Sequence, residues 1–285
     1  MVVVTYNNAD SLQFALRGID TVVSTVTGPN QIQLIKAAVA SKARRFAPAE
    51  FEGQPHRRPV NDPLDRSRTN ALDWLRHFQG SIEYTVFVCG IFYERFQPGG
   101  LPRALIARKT GYHAEGSYIL DCANMSAELP VYGTSSQPDV KICMTAIKDV
   151  ARFVTKAIDL ATWPAELRMC GDRMTVQNLA SLVEQLKSRS SSLDLEKRLV
   201  ADQVLPEAKF EPCVTHNLSA LRAELLAPAG RHDWARGMRL RALMATAEGG
   251  YDFSQFNLNT TFPGLQAERF ASWFSKKWEL DKGTK

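Results

Sequence analysis

The apolar positions of this chain follow two alternating periods. Val2-Val3-Val4-Thr5 is a β-branched run and predicts a strand. Asp10-Ser11 predicts the cap of a short helix that carries Leu12, Phe14, Ala15 and Leu16 and ends at Gly18. Asp20 to Val26 is almost continuously apolar, the pattern of a strand covered on both faces. After the turn Thr27-Gly28-Pro29-Asn30, the residues Ile32, Ile35 and Val39 fall at i, i+3 and i+7 and predict a helix. The series continues with a short strand Arg45-Phe46-Ala47, a long polar loop from Glu50 to Leu64, a helix from about Asp65 to Phe78, and a strand Tyr84 to Cys89. Strands and helices alternating at this spacing predict an α/β fold with a parallel sheet and crossover helices.

From about Ile91 to Ile142 the pattern changes to Gly, Pro and short polar-apolar alternations such as Gly116-Ser117-Tyr118-Ile119-Leu120. We read loops and hairpins that shape a substrate pocket. Helical periodicity returns at Val150, Phe153, Val154, Ala157 and Ile158, and again at Val176, Leu179, Val183 and Leu186. Lys187 to Asp194 (KSRSSSLD) is expected to be an exposed connection. The last part is expected to be helical, with Phe270, Trp273, Phe274 and Trp278 as a core stripe. The expected division is a core over residues 1–145, with inserted substrate loops from about 91, and a remainder over 146–285 carrying further substrate-binding and C-terminal helices.

Composition narrows the class. The 285 residues are 45% hydrophobic and 23% charged, ordinary for a globular chain with a sizeable core. No apolar run approaches the roughly 20 residues of a membrane span, and MVVVTYNNAD lacks a basic n-region, so a cytoplasmic protein without membrane contact is expected. Cys89, Cys122, Cys143, Cys170 and Cys213 are odd in number and never spaced C-x-x-C, which predicts buried free thiols rather than disulfides or zinc. The net charge of +5 comes with basic clusters at Arg44-Arg45, Arg57-Arg58 and Arg231, Arg236, Arg239 and Arg241. Such a surface is ordinarily solvated, and it also suits a phosphorylated dinucleotide. No nucleic-acid-binding signature accompanies it.

Three places have chemistry to offer. Ligands of a doubly wound sheet sit at the carboxyl ends of its strands. Ser24-Thr25-Val26-Thr27-Gly28 occupies one such end, where small residues admit a ligand to the backbone; an ordinary strand-to-helix turn reads the same. Ala47-Pro48-Ala49-Glu50-Phe51 occupies the next, as a pocket wall or as a plain loop. Arg68 shares a helix stripe with Leu72 and Leu75, and so faces the sheet at the helix start. It holds an oxyanion there, or it is a snorkelling or salt-bridged arginine. No Tyr precedes a Lys by four residues, and G-x-G-x-x-G, Walker, H-E-x-x-H and G-x-S-x-G patterns are all absent. His56, His77, His113, His216 and His232 lack metal spacing and are expected at the surface, so no metal site is expected.

Asp10-Ser11-Leu12, followed by Ala15-Leu16-Arg17-Gly18-Ile19-Asp20-Thr21-Val22-Val23-Ser24-Thr25-Val26, resembles the NmrA-like, isoflavone-reductase-like family, of the fungal type. So do Gln33-Leu34-Ile35-Lys36-Ala37-Ala38, Arg44-Arg45-Phe46-Ala47-Pro48-Ala49-Glu50-Phe51, Ile82-Glu83-Tyr84-Thr85 with Gly90-Ile91-Phe92, and Asp149-Val150-Ala151-Arg152-Phe153. The resemblance implies a Rossmann-like doubly wound parallel sheet with a smaller mixed α/β substrate-binding region, and an NADP cofactor. It implies reduction of a small secondary metabolite, or a dinucleotide-sensing regulator without turnover; a degenerate truncated protein that binds neither is the third reading. It places Thr25, Val26, Thr27, Pro48, Ala49, Glu50 and Phe51 at the cofactor, and Arg68 where the reductases carry a catalytic Lys. The family's first two strands and glycine loop have no counterpart, so an N-terminally truncated sheet with weakened cofactor binding is expected. In the usual strand order Val2–Thr5 then loses its neighbour and is expected to slide over to Thr21–Val26, the alternative being that it hangs loose and the bare edge recruits another chain; poor solubility or self-association is expected either way.

Overall fold

In the computed structural model, which describes residues 2–60, 62–106, 113–134, 137–196, 208–227 and 233–280, the chain forms two units. Unit one comprises 1–89, 150–169 and 254–266; unit two comprises 90–149, 170–253 and 267–285. Both are built from discontinuous stretches of chain, so neither follows a single cut near residue 145.

Unit one holds the parallel sheet. Strands β1 (Thr21–Val23), β2 (Arg45–Ala47) and β3 (Glu83–Tyr84) pair in parallel in that order. Buried Thr85 interrupts the third strand, donating its hydroxyl to Pro164 O at 2.6 Å. Beyond it, β4 (Val86–Val88) pairs in parallel with β10 (Glu166–Arg168). Helix α1 (Ala9–Ala15) precedes the sheet, α2 (Pro29–Ala40) joins β1 to β2, and α3 (Arg68–His77) joins β2 to β3. The helix stripes supply Leu12, Ile35, Ala38, Ala71, Leu72 and Leu75 to a core that Val22, Phe46, Phe87 and Val88 complete. This is the expected α/β class with helical crossovers.

Two expectations for this half change. Val2–Thr5 forms no strand, and Val2 and Val3 are exposed. The backbone of Thr5 serves the start of α1 instead: its carbonyl accepts from Asn8 N at 3.0 Å and its N–H donates to Ser11 Oγ at 3.1 Å. Among the described residues the outer edge of β1 therefore carries no strand. The second change is length. The apolar run to Val26 is strand only through Val23, because Ser24 bonds its own loop, its hydroxyl lying 3.2 Å from Val26 N and 3.1 Å from Val26 O.

Arg45 is the tie within unit one. It points inward from a fully buried strand with 1% of its surface exposed. Its Nε donates to Glu83 at 2.5 Å, and its other nitrogens donate to the carbonyls of Ile158, Leu160 and Ala161 at 3.2, 2.7 and 2.8 Å. The guanidinium lies 5.0 Å from the Trp163 ring centre, and Trp163 N donates to Glu83 at 2.7 Å. One buried cation thus joins β2, β3 and the segment that leads to β10.

Unit two contains a three-stranded sheet of β5 (Ile91–Phe92), β9 (Lys141–Thr145) and β11 (Asp172–Thr175), with β9 central. A second sheet orders β12 (Cys213–Asn217), β7 (Ser126–Thr134) and β6 (Leu120–Asp121), with β8 (Gln137–Asp139) returning on β7. Helix α4 (Gly100–Arg103) follows the turn Tyr93–Phe96; α5 (Ile147–Ala157) follows β9 and belongs to unit one from Val150 on. Helices α6 (Val176–Glu196), α7 (Leu218–Leu226), α8 (Trp234–Ala247) and α10 (Phe270–Leu280) cover the sheets, while α9 (Asn257–Thr261) belongs to unit one. The aromatic stripe is core as expected: Phe270, Trp273 and Phe274 are buried, and Trp278 packs on them. Gly90 is required, since it has φ +70° and an added Cβ would lie 2.0 Å from Cys143 O.

The expected loop Lys187–Asp194 is instead the last part of α6, which runs through it to Glu196. Serine is neutral inside a helix that is already nucleated, so polarity alone does not end one. Four cysteines are buried and free as expected, but Cys213 is exposed because all of β12 is an outer strand. His113 is buried rather than at the surface, and Arg231 and His232 lie outside the described residues.

Glu94 closes the start of α5. Both carboxylate oxygens accept from Ile147 N at 3.1 Å. Burial pushes its pKa up to about 7 against the Ile147 bond and the Lys277 charge, with Asp149 adding to the rise.

Two outcomes follow from these ties. Arg45→Met removes a buried cation from an acid and three carbonyls, and is expected to destabilise unit one by about 3 kcal/mol in denaturant melts. A loss within experimental error would show that these bonds contribute nothing net. Glu94 holds a proton when folded that the unfolded chain releases between its ordinary 4.5 and about 7, so its contribution to stability falls as pH rises through that window. Thermal melts at the two ends of the window should show a smaller drop for Glu94→Gln than for the natural chain; parallel profiles would overturn this.

Candidate functional site

The carboxyl ends of β1 and β2 lie side by side, because the parallel ladder continues past both strands through Ser24 N to Ala47 O at 2.8 Å. The two loops that leave these ends are the two segments singled out in the sequence. After β1, Thr25 is exposed and Val26, Thr27 and Gly28 are half-buried. Gly28 has φ +75° and open space where a Cβ would stand, so the backbone there is accessible. After β2, Pro48, Ala49 and Glu50 are buried and Phe51 is half-buried, stacked on Phe87 with ring centres 5.9 Å apart.

Gln31, in the first turn of α2, joins the two loops. Its side chain is fully buried, and its Oε1 accepts from Ala49 N at 2.7 Å. That bond fixes the amide orientation, because a backbone N–H needs the oxygen. The Nε2 that remains has no hydrogen-bond partner although it is buried. An unpaired buried donor is costly and marks a place where a further acceptor would be bound.

A network of charges fills the loop from Glu50 to Arg68. Glu50 has no exposed surface, and both its oxygens take the Arg58 guanidinium. Arg58 also donates to Asp65 Oδ1 at 2.8 Å. Asp65 in turn accepts from Thr69 N at 3.0 Å and from its hydroxyl at 2.7 Å, capping α3 from two residues before the nominal cap, Ser67. Arg68 donates to Glu52, to Leu64 O at 3.0 Å and to Asp65 O at 3.0 Å. Arg66 and Ser67 both have left-handed backbones, with φ of 49° and 62°, an uncommon pair for residues with side chains. The carbonyl of Arg66 accepts from Gly28 N at 3.1 Å, which brings the start of α3 to the loop after β1.

The charges respond as burial dictates. Desolvation raises the Glu50 carboxyl above the usual range despite Arg58 and Arg68. Desolvation also raises Asp62, against its bond from Leu64 N. For Asp65 desolvation is outweighed by the Thr69 bonds and by Arg58, and its pKa is lowered.

Arg68 is thus buried and facing inward, as its stripe required, with 4% of its surface exposed. Its bonds to Glu52 and two carbonyls make it a staple of this loop. A lysine has one nitrogen and would not span these three acceptors, so the two residues are not interchangeable here. Sequence reasoning missed Gln31, Glu52, Arg58 and Asp65. Arg57-Arg58 reads from composition as one more solvated basic cluster, and the nearby Glu50 and Glu52 are the signal that one of this pair has an internal acid.

A second cluster lies in unit two, where one ligand atom each from Glu128, His216 and Glu224 falls within 4.8 Å of the others. It does not suit a cation. Arg236 and Arg239 already bind Glu128 at 2.6 and 2.7 Å, and Arg236 also takes Glu224 at 2.7 Å. Their charge holds the Glu128 pKa below the ordinary value in spite of burial.

No family model matches the chain, and no curated protein matches it in sequence. Solved structures do match it in fold. AtPrR2 with NADP+ and (+)pinoresinol is 17% identical with a TM-score of 0.64, covering 97% of this chain and 81% of its own. The leucoanthocyanidin reductase–NADPH complex from Vitis vinifera is 19% identical with a TM-score of 0.62, covering 95% and 82%. The NADPH-dependent quinone oxidoreductase QOR2 from Escherichia coli is 17% identical with a TM-score of 0.59, covering 96% and 82%. At these identities the likeness is one of fold: the chain has a Rossmann-like α/β architecture of the kind these reductases share.

The buried network makes a prediction of its own. Arg58→Met strands a fully buried carboxylate and should cost about 3–5 kcal/mol in denaturant melts. Adding Glu50→Gln should recover part of that loss, because the stranded charge is gone. Strictly additive losses would show that the two side chains do not couple.

Proposed function

We propose that this chain is an NADPH-dependent reductase of the isoflavone-reductase type, acting in the cytoplasm on a small secondary metabolite. The observation that carries the proposal is the convergence of the loops after β1 and β2 around the unpaired Gln31 Nε2, at the strand ends where such folds take their ligand. The solved structures of similar fold named above carry NADP+ or NADPH, or are named for it. Among the described residues no helix is long and apolar enough to cross a membrane.

The residues present suit one half of the cofactor. Thr25 and Thr27 hydroxyls and the open backbone from Val26 to Gly28 would hold the ribose and nicotinamide end, with Pro48, Ala49, Glu50 and Phe51 as the wall behind it. The pyrophosphate finds less. Pro29 has no N–H, Gly28 N is given to Arg66 O, and Gln31 N to Gly28 O, so the first turn of α2 has few donors left for a phosphate. NADPH would supply a hydride. The chain's part is to orient the substrate, and to keep Glu50 neutralised by Arg58 at the pocket wall. Arg68 contributes a fixed positive charge and no proton, because a guanidinium does not titrate in this range.

The engagement of Arg68 with Glu52 and two carbonyls favours a second reading, in which the same site senses the dinucleotide without turnover. Self-association along the open edge of β1 belongs to either reading.

Calorimetry with NADPH tests the proposal. Each missing charge-assisted bond to the pyrophosphate is worth about 1.5–3 kcal/mol, so the expected dissociation constant is high-micromolar to millimolar. No binding at all would end both readings, and a low-micromolar constant would show that the pyrophosphate does have its donors. Oxidation of bound NADPH by added quinones or benzylic ethers separates the reductase from the sensor.

A further inference from the structure

We propose that Gln31 reads the cofactor, its Nε2 donating a hydrogen bond to the carboxamide carbonyl of a dihydronicotinamide ring held at the ends of β1 and β2. The inference rests on the NADPH reading above and adds to it the group that is recognised and the atom that recognises it. Gln31 is fully buried in the first turn of α2. Among the described residues, its Nε2 is the one buried side-chain nitrogen or oxygen of unit one without a hydrogen-bond partner. Turning the amide over gives no relief, because Ala49 N needs the oxygen at 2.7 Å.

The donors around it are spent within the fold. The Ser24 hydroxyl donates to Val26 O at 3.1 Å, Gly28 N to Arg66 O and Gln31 N to Gly28 O, both at 3.1 Å. Arg58 is held by Glu50 and Asp65, and Arg68 by Glu52 and two carbonyls. A charged acceptor would therefore gain no free cation from these two arginines, and it would arrive beside Glu50, which follows Ala49 directly and has no exposed surface. A neutral carbonyl matches a neutral amide donor without that cost. The wall suits a flat ring behind the carbonyl: Pro48 and Ala49 are buried, and the Phe51 ring lies parallel to Phe87 with 6° between the planes. Space begins within the same turn of chain, since a Cβ added to Gly28 would meet nothing within 4 Å.

Calorimetry on the whole chain compares NADPH with its reduced thionicotinamide and 3-acetylpyridine analogues. Sulfur is a poor acceptor, so the thionicotinamide should bind about five- to tenfold more weakly than NADPH. The acetylpyridine keeps the carbonyl and loses only the amine, and should bind within about twofold of NADPH. In Gln31→Met, NADPH affinity should fall and the difference between NADPH and the thionicotinamide should vanish, because the donor that distinguishes them is gone. A merely structural role would weaken all the ligands together and leave their ratios unchanged. Melting curves confirm that the variant is folded, and the ligand comparison on the natural chain stands even where it is not. Equal affinity of the natural chain for NADPH and the thionicotinamide, or a ratio that persists in folded Gln31→Met, would overturn the proposal and leave the cofactor reading intact. Binding of none of the ligands would end the cofactor reading itself, and this proposal with it.

Discussion

A buried guanidinium has to find acceptors for all its protons, and in unit one that requirement falls on Arg45. Its strand is covered on both faces, so water cannot serve. Glu83 and the carbonyls of Ile158, Leu160 and Ala161 serve instead, with Trp163 beside the guanidinium. Because the acceptors come from β3 and from the 158–161 stretch, satisfying one side chain fixes the register of distant pieces of sequence. The apolar core supplies the driving force for collapse, and this cation restricts which collapsed arrangement is admissible.

The same rule shapes the strand ends. Glu50 leaves β2 with no exposed surface and is matched by Arg58; Glu52 is matched by Arg68. These pairs, with Asp65 at the start of α3, hold a long polar segment that has no strand and only short helical turns. The left-handed pair Arg66 and Ser67 is tolerated because the network around it fixes its neighbours. A rigid loop beside an open backbone and an unpaired Gln31 nitrogen is the arrangement on which the functional proposal rests. The engagement that makes the loop rigid also withdraws Arg68 from free chemistry, and the sensor reading stays alongside the reductase one for that reason.

Unit two solves its burial differently. Its two small sheets are covered by helices and an aromatic cluster. Around Glu128 the arginines and acids balance one another.

The periodicity by itself determined that Arg45–Ala47 is a strand, that the stretches about Ile35, Leu72 and Phe153 are helices, that the sheet is parallel, and that Arg68 faces inward. Apolar spacing encodes these features locally, since a residue's neighbours along the stripe decide whether it is covered. It also picked out the two loops after β1 and β2. Only the tertiary structure decided what the charges there do. The pairing of Arg58 with Glu50 follows sequence neighbours that a loop brings together, whereas Arg45 meets carbonyls more than a hundred residues away. Val2–Thr5 had a strand's composition and lost the strand because Thr5 was more useful to the cap of α1. Lys187–Asp194 had a loop's composition and became helix because α6 was already formed before it. Hydrogen-bond partners and ion partners are chosen by distance in space after burial, and no local pattern carries that distance.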